Sequence, residues 1–230
     1  MPKVPIDGFQ LYYESEGDGE PLILIPGFAS GRSLWQKQVG PLARHFRVIS
    51  FDPRGVAQSD KPEGEQTIGL LADDVAELLQ FLGVGSAHVV GVSFGGFVAQ
   101  EFALRHRGMV RKLVLCCTSF GGPNHVVPEP QILSEIMQPR AAGEVSEEMY
   151  RVQLRAAVNF NAEDRLAAIG APTLIVSGDA DVIVPVQNSY NLARKIPNAE
   201  LRLVSGGSHM VFMEQADEFN QVLTEWLLRK

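Results

Sequence analysis

The sequence predicts an α/β fold, with a mostly parallel central sheet flanked by helices and a small helical insertion. Three observations predict it. Short apolar, β-branched runs alternate with longer amphipathic stretches along the 230 residues, which is the pattern of successive βαβ units. Residues 119–171 break that alternation and contain no strand-like run. The composition, 45% hydrophobic and 20% charged, is that of one globular domain with enough apolar surface for a sizeable core.

The elements follow in order. Strand-like runs lie at 9–13, 22–25 (PLILIPG), 46–51 (FRVISFD), 88–92, 113–117, 173–176 (PTLIVSG) and 200–204. Helical periodicity falls between them at 33–44, 67–82, 94–105, 186–195 and 211–228. LYYESEGDGEP reads as a strand, a Gly-rich turn and the next strand, so an antiparallel edge between the first two strands is expected. A loop as long as 119–171 without structure is improbable in a compact domain. Helical patterns near 131–138 and 146–158 make it a cap over one edge of the sheet, with 1–118 and 172–230 as the core.

Composition also excludes classes of function. The net charge is −7 and no stretch concentrates Lys or Arg, so there is no nucleic-acid footprint. No apolar run approaches the ~18 residues of a membrane span, and MPKVPIDGFQLYYE has no apolar signal-peptide region. The two cysteines, Cys116 and Cys117, are adjacent in a strand-like run. Strand neighbours face opposite sides and cannot easily bridge, so buried reduced thiols and a cytoplasmic location are expected. Neither cysteine has a metal-ligand partner at usual spacing, and no phosphate loop or dinucleotide turn is present. No metal and no cofactor are expected.

The segment VVGVSFGGFVAQ puts Ser93 between Gly91 and Gly95, after a strand and before a helix. Such a turn can be an ordinary connection, or it can expose a nucleophile above the carboxyl ends of the strands. A serine needs a base, and five histidines are available. His45, His88 and His106 fall at the wrong end of the sheet and His125 lies in the insertion, whereas His209 follows the last strand in VSGGSHMVF. A histidine base needs an acid to orient it. PTLIVSGDADVIVP supplies Asp179 and Asp181 just after a strand. A serine, an acid and a histidine in that chain order, each in a loop after a strand, favour a nucleophile over a chance turn.

With these pieces in place, the sequence resembles the α/β-hydrolase fold superfamily over nearly its whole length. The matching segments are DGFQLYYESEGDGEPLILIPGF, FDPRGVAQSD, GVSFGG, PTLIVSGDADVIVP and GGSHMVFMEQADEFNQVLTEWL. The resemblance selects Asp181 over Asp179 as the acid and leaves Asp179 to hold the loop. It implies an oxyanion hole of the backbone N–H groups of Phe28 and Phe94, whose rings would wall an acyl pocket. Phe120, Met137, Val184 and Met210 are expected to line that pocket. Three departures stand out: Pro26 replaces a frequent histidine, Ala57 replaces a glycine of the R-G-x-G-x-S turn, and the cap is short.

What the resemblance implies is a serine esterase or lactonase with Ser93, Asp181 and His209 as catalytic triad, acting on a small-molecule, ester-like substrate. C–C bond hydrolases, enol-lactonases and perhydrolases share the same residues, and a low-turnover small-molecule receptor is the alternative of another class. A second subunit completing the short cap is open at this point.

Overall fold

The computed structural model describes residues 2–139 and 144–229. The strands are β1 (Lys3–Ile6), β2 (Phe9–Glu16), β3 (Glu20–Ile25), β4 (Phe46–Phe51), β5 (Ala87–Val92), β6 (Val110–Cys116), β7 (Thr173–Gly178) and β8 (Ala199–Val204). The α-helices are α1 (Val39–Ala43), α2 (Ile68–Phe81), α3 (Phe94–Arg105), α4 (Pro130–Ile136), α5 (Glu147–Val158), α6 (Gln187–Lys195), α7 (Val211–Glu214) and α8 (Ala216–Leu227). The strands form one sheet in the order β1-β2-β4-β3-β5-β6-β7-β8. All pairings from β4 to β8 are parallel, and β2 pairs antiparallel with both β1 and β4.

Alternation along each strand sorts the core into two layers. Ile23, Val89, Leu113 and Leu115 face one layer, packed with α2, α3 and α6. Leu22, Leu24, Val90 and Val114 face the other, with α1 and α8. Helix α2 shows the local logic. The Thr67 hydroxyl accepts the Leu70 N–H at 3.1 Å as an N-cap. Leu71, Val75, Leu78 and Leu79 then form one buried stripe.

The antiparallel edge exists, but its partners differ from expectation. β2 does not pair with β3, which lies inside the sheet between β4 and β5. The missed strand β1 is four residues long and contains Pro5; its pairing with β2 makes a tight hairpin through Asp7 and Gly8, both at positive φ. The single helix expected at 33–44 is a 3-10 turn, Arg32–Trp35, followed by α1, with Gly40 and Pro41 shortening it. The helix expected at 211–228 breaks at Gln215, whose φ/ψ of −117°/47° is not helical. Cys116 and Cys117 do not face opposite layers. β6 ends at Cys116 and Cys117 turns to φ +46°, so both buried free thiols pack in one layer.

Between β6 and β7 the described residues of the insertion form α4, α5 and a 3-10 turn at Glu163–Ala168; residues 140–143 of the expected cap lie outside the described part. The chain enters and leaves this segment side by side, through a β-bridge between Gly121 and Asn161. The buried Asn188 of α6 ties it down further. Its side chain accepts from Val126 N at 2.9 Å and donates to Val126 O at 2.7 Å.

Candidate active site

Ser93 sits between β5 and α3 with φ/ψ of 54°/−118°, a conformation that L-residues rarely adopt. The turn is held by the Ser93 N–H donating to Cys116 O and by the Thr118 hydroxyl donating to Ser93 O. It is also too tight for side chains on either flank. A Cβ at Gly95 would collide with the carbonyl oxygens of Ile25 and Pro26, and one at Gly91 with that of Gly95. The strained turn lifts the Ser93 side chain above the sheet at the N-terminus of the twelve-residue α3.

His209, in the loop after β8, places Nε2 3.1 Å from Ser93 Oγ. Its Nδ1 lies 2.8 Å from Asp181 Oδ2, in the loop after β7. Asp181 keeps its other oxygen busy: Oδ1 accepts the N–H groups of Ile183 and Val184 at 2.9 and 2.8 Å. Its side chain is fully buried, so both oxygens are fixed and Oδ2 faces the imidazole. Asp179 points elsewhere and accepts Gly206 N–H at 2.7 Å, which fastens the loop after β7 to the loop after β8. Parallel neighbours explain the convergence. β5, β6, β7 and β8 are adjacent in the sheet, so loops leaving their carboxyl ends meet at one edge.

The N–H groups of Phe28 and of Phe94, the residue after Ser93, donate to no acceptor among the described residues. Phe28 follows Pro26-Gly27 after β3, and its ring packs edge-on against Phe94 and Tyr150, with centroids 5.7 and 4.6 Å away. A cavity of about 1060 Å³ opens over these groups, between the sheet and the insertion. Phe28, Phe94, Val184, Met137 and Met210 line it, the two methionines at a partly exposed rim.

Phe120 does not line it. Its neighbours Ser119 and Gly121 face the cavity, whereas the Phe120 ring is buried in the core beneath Lys195. Sequence reasoning also missed two residues of α5. Tyr150 walls the cavity, and the buried Gln153 accepts Ala29 N–H at 2.9 Å. The signal was available: Gln153 is a polar residue within the apolar stripe Met149, Tyr150, Ala156.

Spacing along the chain gave Cys117 no ligand partners, yet the fold brings its sulfur, an Asp181 oxygen and a His209 nitrogen within 4.8 Å of one another. Burial, then the Asp181 charge, push the Cys117 thiol up to about 12, so it stays protonated. A neutral thiol beside a carboxylate and imidazole already bonded to each other makes a poor metal centre. The Ala57 departure is also visible. Ala57 keeps the left-handed backbone a glycine would supply, at φ +45°, a conformation that costs about 1–2 kcal/mol for a residue with a side chain.

The family model described as "alpha/beta hydrolase fold" matches residues 20–143 and 145–216. The chain belongs to the α/β-hydrolase fold family. Among relatives of this α/β-hydrolase, "Putative carbamate hydrolase RutD" of Serratia proteamaculans (strain 568) is 30% identical, covering 95% of this chain and 96% of that protein. That alignment runs over 258 residues, so the relative carries residues with no counterpart in the 230 here. A thermophilic esterase from Thermogutta terrifontis superposes with a TM-score of 0.85 at 27% identity, over 99% of this chain and 98% of that one. The enol-lactonase from Burkholderia xenovorans LB400 shares the fold with a TM-score of 0.88 at 24% identity, covering 99% and 100%. Among the described residues of this α/β-hydrolase, no helix is long and apolar enough to cross a membrane.

Proposed function

We propose that this α/β-hydrolase is a serine hydrolase that cleaves carboxylic esters or lactones through an acyl-enzyme on Ser93. The observation that carries the reading is the unbroken chain Ser93 Oγ–His209 Nε2 at 3.1 Å and His209 Nδ1–Asp181 Oδ2 at 2.8 Å, opening on the cavity. In this reading His209 takes the hydroxyl proton as Ser93 Oγ bonds to the acyl carbon. The carbonyl oxygen becomes an oxyanion within reach of the Phe28 and Phe94 amides. Collapse breaks the acyl C–O bond, and His209 returns the proton to the leaving alcohol. Water, deprotonated by the same imidazole, then adds to the acyl carbon and releases the acid and Ser93. Asp181 stays ionised throughout and stabilises the imidazolium.

The cavity supports a neutral, largely apolar acyl group, since Phe28, Phe97, Leu154, Phe160 and Ile183 supply its walls. Carbamate hydrolysis is the second reading. The relative at 30% identity favours it, and the same residues would perform it, but the apolar walls suit a small polar carbamate poorly. The test is a p-nitrophenyl ester series from acetate to long acyl chains, with carbamate run alongside. Turnover of a medium ester, reduced by several orders of magnitude in Ser93→Ala, is expected. Turnover of carbamate alone would shift the assignment to the second reading, and undiminished ester turnover by Ser93→Ala would end the first.

A further inference from the structure

We propose that Gln153 is a positioning residue: from helix α5 of the insertion it fixes the loop that carries the Phe28 amide, so the insertion sets turnover as well as pocket shape. The inference rests on the reading that Phe28 N–H stabilises an oxyanion.

Four observations carry it. The peptide joining Phe28 to Ala29 is held at both ends, its N–H donating to Gln153 Oε1 at 2.9 Å and its C=O accepting from the Ser30 hydroxyl at 3.1 Å. That peptide needs holding, because Ala29 has φ +54°, in the left-handed region, with a methyl group to accommodate. A second residue between β6 and β7 grips the same loop: Glu144 N–H donates to Ala29 O, and its carboxylate accepts Gly31 N–H at 2.6 Å and the Ser33 hydroxyl at 3.1 Å. From α5 again, the Tyr150 ring packs on that of Phe28 at 4.6 Å. The loop has few bonds of its own in this stretch, the Leu34 N–H to Gly31 O turn being one.

The geometry translates into chemistry through the Phe28 backbone. Holding the Phe28–Ala29 peptide at both ends restrains ψ of Phe28, which together with φ sets the direction of the Phe28 N–H one peptide upstream. Without the Gln153 acceptor, the Ala29 N–H is buried unpaired, and the loop relieves that by rotating. The Phe28 amide then no longer points where negative charge develops. Such a loss falls on the transition state and spares ground-state binding, so it appears in kcat.

The experiment compares wild type, Ser93→Ala, Gln153→Leu and Gln153→Glu on p-nitrophenyl butyrate, with melting temperatures measured in parallel. Losing an oxyanion donor outright costs about 10²–10³ in rate. Gln153→Leu is therefore expected to lower kcat by about 10–100-fold with KM within threefold. It should weaken inhibition by an alkyl trifluoromethyl ketone, which forms a tetrahedral oxyanion on serine, by a similar factor, and leave butyrate inhibition unchanged. Gln153→Glu keeps an acceptor for Ala29 N–H and should recover most of the loss.

A folded Gln153→Leu with kcat within threefold of wild type, alongside an inactive Ser93→Ala, overturns this inference and leaves the serine-hydrolase reading intact. If Ser93→Ala retains activity, that reading falls and the inference with it. Should Gln153→Leu fail to fold, a folded Gln153→Glu that loses 100-fold or more overturns the proposal.

Discussion

The two oxygens of Asp181 do different work. Oδ1 is consumed by the amides of Ile183 and Val184, and Oδ2 meets the imidazole. A carboxamide can satisfy only one of these roles with an acceptor, and its NH₂ group cannot accept from His209 Nδ1–H. Asp181→Asn is therefore expected to lower kcat on the best p-nitrophenyl ester by about 10⁴-fold. Asp179→Asn, two residues away, loses a charge-assisted bond to Gly206 N–H and should lower the melting temperature while leaving kcat within a few-fold. Equal kinetic losses in the two variants would refute this division. Spacing in the sequence placed both carboxylates in one loop. The partner that singles out each, an imidazole or a backbone amide of the loop after β8, exists only once β7 and β8 pair. Phe120 marks the opposite limit: its position beside the site was readable, but its ring turns into the core beneath Lys195, a direction set by the folded packing.

Helix α3 and its preceding turn are the elements on which the arrangement turns. The expected bounds 94–105 and the observed Phe94–Arg105 coincide, because glycines before and within the turn and His106 after it punctuate a clear apolar run. The edge of the sheet was less legible, since pairing β2 with β4 spans the whole of β3 and no local turn signal encodes it. α5 was recognisable as an amphipathic helix, but which core loop its one buried amide would meet was not. The closeness of α3 to β3 yields a prediction. A methyl group at residue 95 has two carbonyl oxygens in its place, so Gly95→Ala should destabilise the fold by about 1–3 kcal/mol. The only relief is to move α3 away from the loop after β3, which separates the Phe28 and Phe94 amides and should depress kcat as well. Chemical denaturation and ester assays check both; a Gly95→Ala protein of wild-type stability would contradict the packing described.

For the molecule as a whole, one contribution to the response to pH comes from a buried ion pair between the loop after β4 and α2. Arg54 donates to both oxygens of Asp74, with Nε 2.6 Å from Oδ2, and both side chains are almost inaccessible to water. Burial pushes the Asp74 carboxyl up to about 6, against the pull of the Arg54 guanidinium. The folded state thus binds this proton more tightly than the unfolded state, where the value is near 3.8. The stability it contributes is present in full below about pH 4 and is lost as pH rises through about 6. Asp74→Asn removes the titration, so the melting temperature of wild type minus that of the variant should fall between pH 4.5 and 7.5. A difference that rises over that range would show that the ion pair outweighs desolvation. The β-bridge between Gly121 and Asn161 has a consequence at this same scale. Because the strand exit and return points touch, the stretch between them is a cassette that recombination can exchange without opening the sheet. A graft from another family member would bring its own cavity walls, and with them whatever residue that donor turns toward the Ala29 N–H. Chimeras whose donor offers no acceptor to the Ala29 N–H should turn over slowly until that one amide contact is rebuilt.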